Sequence, residues 1–135
     1  MTGERRALQA VVALACLVPI LTGLDGVTRG VAMFRLAAPT ADLDSHFRYL
    51  SGIFLMLGLA FASTVPHIER QGRRFRLLGA MVIIGGFARM LSWVLVGPPG
   101  VEHRLGLAME LIVVPLLMLW QARVARKAGH HGRPG

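Results

Sequence analysis

Gly85 to Trp93 reads GGFARMLSW, and its arginine, Arg89, stands deep inside an otherwise apolar run, Leu77 to Val96. No other basic residue lies so deep in such a run. The next apolar run carries the one comparably placed acid, Glu110, within AMELIVV. A charge near a bilayer centre costs roughly 2.5–3.5 kcal/mol on insertion scales, so it faces a bundle interior, takes a partner and marks either a helix staple or a working site. Arg89 and Glu110 are therefore expected to face one another between neighbouring helices.

The surroundings of this stretch set the class. A chain of 135 residues that is 54% hydrophobic, with a mean hydropathy of +0.57, is too apolar for an ordinary soluble domain. Apolar runs near Ala7–Leu24, Phe47–Val65, Leu77–Val96 and Leu105–Gln121 each approach the roughly 18–20 residues that a bilayer crossing requires. Only Arg48, Arg89 and Glu110 interrupt them. The expected fold is all-α: a single integral membrane domain over residues 1–135, built as an antiparallel, up-down four-helix bundle with a basic tail at 122–135.

The net charge of +8 does not indicate a nucleic-acid partner, because the basic residues flank the apolar runs instead of forming a surface with aromatic readers. Orientation explains them better. Arg5, Arg6, Arg70, Arg73, Arg74, Arg76 and four residues after Gln121 fall on one side, against Arg29, Arg35, Arg48 and Arg104 on the other. That bias predicts both termini and the second connection in the cytoplasm of a multi-pass protein. The first run is longer than a signal core, so it is expected to be a retained span. Cys16, the single cysteine, allows no internal disulfide and reads as a small core residue.

Between the spans, GVAMFRLAA within the first connection suits either a segment lying at the interface or a plain loop. Asp42, Asp44 and Ser45 precede the second run and read as its N-terminal cap. Pro66 and GPPG at Gly97–Gly100 end the second and third helices, which makes the third and fourth antiparallel neighbours. Tyr49, Trp93 and Trp120 fall at the levels of the aromatic belts. Gly58 with Ala62, and Ala88 with Ser92, have the four-residue spacing of close helix contacts. Gly85 and Gly86 either admit a neighbouring helix or leave room for the guanidinium.

At 1.5 Å per residue Arg89 lies about 10 Å inward from Val96, and Glu110 about 9 Å inward from Arg104 on a helix running the other way. The two meet at one level. His103 precedes Glu110 by seven residues on the same expected face, and Ser92 lies three residues beyond Arg89. Arg48 and Tyr49 enter from the second helix, and Asp25 shares a face with Thr22 on the first. The candidate polar or ligand cluster is thus Arg89, Glu110, Arg48, Tyr49, Ser92, His103 and Asp25, in the outer half of the bundle. Arg48 has a plainer reading, in which its long stem snorkels to the headgroups. No ligand-spaced metal cluster, nucleophile with a base, or phosphate loop is visible, so no catalytic residue and no cofactor is assigned.

LDSHFRYLSG, IGGFARMLS, VGPP, the glutamate in MEL and LWQARVAR together resemble a bacterial family of small membrane proteins, catalogued as domain of unknown function 4345. The matching positions are Arg48, Tyr49, Gly52, Gly86, Arg89, Ser92 and Glu110. The resemblance implies a four-helix inner-membrane protein and no particular activity. Three classes of function remain in view. The leading one is a noncatalytic bundle that binds a partner or a small ligand. Others are a proton-coupled transporter or transporter subunit using Glu110, and a quinone- or lipid-associated enzyme or accessory subunit. The expected surroundings are the lipid bilayer, with room for a homo-oligomer or a membrane-protein partner and no nucleic acid.

Overall fold

The computed structural model describes residues 2–34 and 40–130, and every regular element among them is helical. Arg35, Pro39 and the tail from His131 lie outside the described residues, as does the second half of GVAMFRLAA. Helix α1 spans Thr2–Arg29, α2 Ala41–Ala62 and α3 Gly72–Val96. Helix α4, Val101–Ala108, passes through a π-helical segment, Met109–Val113, into α5, Val114–His130. Short 3₁₀ turns occupy Gly30–Phe34 and Val65–His67.

Four helical stretches, Gly3–Phe34, Ala41–His67, Gly72–Val96 and Val101–Gly129, are long and apolar enough to cross a membrane. Only 11% to 22% of their most apolar windows is buried inside the protein. Side chains such as Leu14, Ile84, Val94 and Leu119 are each at least 67% exposed. A water-soluble fold would cover them, since each fully buried side chain of this size is worth about 1.5–3 kcal/mol.

The helices run beyond the apolar stretches that announced them. α1 continues past Leu24 to Arg29 and α2 begins at Ala41, ahead of Phe47. The cap of α2 is therefore Thr40, whose Oγ1 accepts the Leu43 amide at 3.2 Å. Asp42, Asp44 and Ser45 already lie within the helix, so they do not cap it as expected. Asp44 instead reaches across to the end of α1, where its Oδ1 accepts the Val31 amide at 3.0 Å.

The chain divides into two compact units, Ala10–Val65 and Met1–Gln9 with Pro66–Gly135. In the first, α1 and α2 form an antiparallel hairpin along a line of glycines. A Cβ on Gly23 would meet the Leu55 backbone at 2.7 Å, one on Gly26 would strike Ser51, and one on Gly58 would come within 2.9 Å of Ile20. Such contacts bring helices together without a hydrophobic drive. Gly58 serves in this way; its expected companion Ala62 is half-buried.

In the second unit, α3 lies antiparallel to the segment from Met109 onward. Gly72, Gly79 and Gly86, seven residues apart, face Gln121, Met118 and Leu111 in turn. That seven-residue seam replaces the expected Ala88 and Ser92 contact, both of which are exposed. Gly97 ends α3 at φ +119°, a conformation open to glycine, and GPPG turns the chain into α4.

Candidate functional site

The π-helical segment decides where Glu110 points. Pro115 has no amide to return to the preceding turn, and its ring crowds the carbonyl four residues back, so an α-helix through this point must kink, break or widen. Here it widens: the Val114 amide bonds to the Met109 carbonyl five residues earlier. Single-turn π segments of this kind recur at functional sites. Within this one Glu110 is only 8% exposed.

Across from it stands α3. Gly86 leaves the space that the Glu110 Cβ and Leu111 side chain occupy, and Arg89, one turn further along the same face, reaches Glu110. Arg89 Nε lies 3.0 Å from Glu110 Oε1. The other carboxylate oxygen, Oε2, is buried and has no hydrogen-bond partner among the described residues. The Arg89 side chain is 42% exposed and its terminal amines make no further bond to a described residue. Of the two readings for the paired glycines, close approach belongs to Gly86 alone; Gly85 has nothing within 4 Å.

Beside the pair lies a cavity of about 240 Å³ lined by Arg89, Ser92, Trp93, Pro99, His103 and Leu107, among others. Ser92 and Trp93 follow Arg89 by nearly one turn of α3, and His103 and Leu107 share a face of α4 at four-residue spacing. Glu110 is not part of the lining. His103 and Arg89 both line the cavity, whereas Glu110 meets it only through its pair with Arg89.

The remaining candidates belong to the α1–α2 hairpin. Arg48 Nε binds Asp44 Oδ2 at 2.7 Å, while its Nη1 donates to the carbonyls of Val27 at 2.6 Å and Thr28 at 3.0 Å. These carbonyls end α1, where helical donors run out. Arg48 is thus a clamp on that helix end and does not snorkel outward. Gly30 completes the closure at φ +58°, since a Cβ there would strike Asp44 and Arg48. Asp25 pairs with Arg29 at 3.2 Å near the surface, and Tyr49 is 67% exposed.

Sequence alone does not mark Trp93, Pro99 and Leu107 as site residues. Trp93 has the signal of a belt residue and also forms a wall. Among the described residues no group of three or more His, Cys, Asp and Glu could hold a metal ion.

A helical hairpin that pairs a buried acid with a partly exposed arginine, within a chain carrying four helices long and apolar enough to cross a membrane, defines the class. Residues 7–121 match the model of the family described as Domain of unknown function (DUF4345), and the chain belongs to that family. No curated protein and no solved structure matches it.

Proposed function

We propose that the protein is a noncatalytic, multi-pass protein of the bacterial inner membrane, with both termini cytoplasmic, that binds a small amphiphilic ligand beside Arg89. The observation that carries this reading is the division of labour in the guanidinium. Nε is committed to Glu110, whereas the terminal amines make no other bond to a described residue and Arg89 lines the cavity.

Because Glu110 already balances the positive charge, the cavity favours a neutral oxygen acceptor, a carbonyl or hydroxyl, over a free anion. Ser92 offers a further hydroxyl, and Trp93, Pro99 and Leu107 offer apolar surface. At about 240 Å³ the space falls below the 300–1,000 Å³ of sites that enclose whole drug-sized ligands. It suits a polar head whose apolar body lies in the bilayer. Quinone and lipid carbonyls belong to this class.

A test uses a decyl-substituted benzoquinone as probe in protein carrying Trp120→Phe. Saturable quenching of Trp93, weakened about tenfold when Arg89 and Glu110 are both leucine, is the expected result. Quenching that never saturates, or that the double variant leaves unchanged, overturns the reading.

A second reading, a proton-exchanging transporter subunit, draws on the unpartnered Oε2 of Glu110. Infrared titration in bilayers tests it: a Glu110 ionised throughout the working range removes the group that would carry the proton.

A further inference from the structure

A second cavity, of about 380 Å³, lies at the far end of the α3–α5 hairpin from Arg89, and nothing in the ligand reading uses it. Its charged lining is Glu4, Arg5, Glu69, Arg70 and Lys127. The two acids are already engaged. Glu4 takes Arg123 at 3.2 Å and Lys127 in a short ion pair, and Glu69 lies 3.1 Å from Arg5 Nε. Arg5 is held further by donating from Nη2 to the Pro66 carbonyl at 3.1 Å. Gln9 donates to that same carbonyl at 3.2 Å, and the fully buried Gln121 donates to the Ile68 carbonyl at 2.8 Å. The connection between Pro66 and Arg70 is therefore tied from both ends of the chain.

This network leaves an excess of cation. Four basic groups, Arg5, Arg70, Arg123 and Lys127, meet two acids, and the Arg70 guanidinium has no partner among the described residues. The acids hold three of the cations in place, which lowers the ordering cost of binding an anion. Val124, Ala125 and Ala128 add an apolar wall, and beyond the cavity both helices present exposed leucines, Leu77 and Leu119. The site thus joins fixed positive charge to the start of a lipid-facing surface.

We propose that this cavity binds a phosphate oxyanion, presented by the headgroup of an anionic phospholipid, with Arg70 as the principal contact and Arg5 and Lys127 flanking it. Basic pockets at the cytoplasmic ends of membrane helices recognise headgroups by this chemistry. Arginine presents a planar fork of donors to phosphate, which a point charge does not.

The experiment is native mass spectrometry of the purified full-length protein titrated with phosphatidylglycerol, phosphatidylcholine and inorganic phosphate. It compares wild type with Arg70→Gln and with Arg74→Gln, an exposed arginine outside the cavity that loses the same charge. Phosphatidylglycerol should bind at least tenfold tighter than phosphatidylcholine. Arg70→Gln should weaken it about tenfold and Arg74→Gln less than twofold. Equal losses in the two variants would mean diffuse surface attraction and overturn the site. Inorganic phosphate binding as tightly as phosphatidylglycerol, with the same loss in Arg70→Gln, would overturn the lipid source. Arg70 pairs with no described residue, so its replacement should leave the melting temperature unchanged, and neither variant touches the Arg89 cavity.

Discussion

Gly86 lies against Glu110: a Cβ built on the glycine would stand 3.0 Å from the Glu110 Cβ and 2.7 Å from Leu111 Cδ2. Its immediate neighbour Gly85 has nothing within 4 Å. The ion pair thus depends on a missing side chain, because α3 can carry Arg89 to the acid only where the helices come this close.

Gly86→Ala should therefore destabilise the protein by about 1–3 kcal/mol, the range for overpacking, less the roughly 0.5–1 kcal/mol by which alanine favours a helix. Gly85→Ala, with open space around it, should keep that helix gain and be neutral or stabilising. Thermal unfolding in one detergent compares the two. Equal effects at both positions would mean that the close approach contributes nothing.

The pair itself is asymmetric, with Arg89 42% exposed and Glu110 11% exposed at the side chain. Arg89→Leu strands a buried carboxylate, for which breaks of buried pairs cost about 3–5 kcal/mol. Glu110→Leu leaves an arginine that can swing toward the headgroups on its long stem, so its cost should be smaller. Replacing both with leucine should recover much of the larger loss. Unfolding measured on all four proteins closes the cycle; single effects that simply add would mean there is no energetic coupling.

Arg48 offers a contrast between two arginines at one helix end. It donates to two carbonyls and to Asp44, whereas among the described residues Arg29 makes only an exposed pair with Asp25. Hydrogen bonds from a charged group contribute about 1.5–3 kcal/mol, and exposed ion pairs about 0.2–1 kcal/mol. Arg48→Leu should accordingly lower stability by about 2 kcal/mol and increase amide exchange at Val27 and Thr28, while Arg29→Leu changes neither appreciably. A fully stable Arg48→Leu protein would show that the clamp is dispensable.

The four long helices are legible in the sequence because a bilayer needs a fixed length of apolar chain, and the partnership of Arg89 with Glu110 follows from their matching depth. Helix ends are less so. α1 runs on to Arg29 because Gly30 and Arg48 close it there, a contact between distant residues that no local pattern announces. The widening at Met109–Val113 has a signal in Pro115, but a proline in a helix equally permits a kink. Gly72, Gly79 and Gly86 carry their seven-residue spacing in plain view, yet the four-residue rule for close helix contacts does not reach it. The ties from Glu4 to Arg123 and Lys127 join opposite ends of the chain, where spacing carries no information.

The last prediction concerns orientation. Basic residues at a span boundary are held back from translocation, and here they gather before Ala7, between Pro66 and Leu77, and after Gln121. A reporter fused after Arg133 should be active only in its cytoplasmic form, and one inserted near Pro39 only in its external form. The count also predicts which residues set the outcome. Neutralising Arg73, Arg74 and Arg76 together removes much of the bias from the second connection and should yield a mixed orientation at Pro39. Removing Arg104 from the opposite side should leave it single. Two reporters on one side of the membrane would reject an odd number of crossings between them and require that one of the three apolar helices after Pro39 lie along the membrane instead of through it.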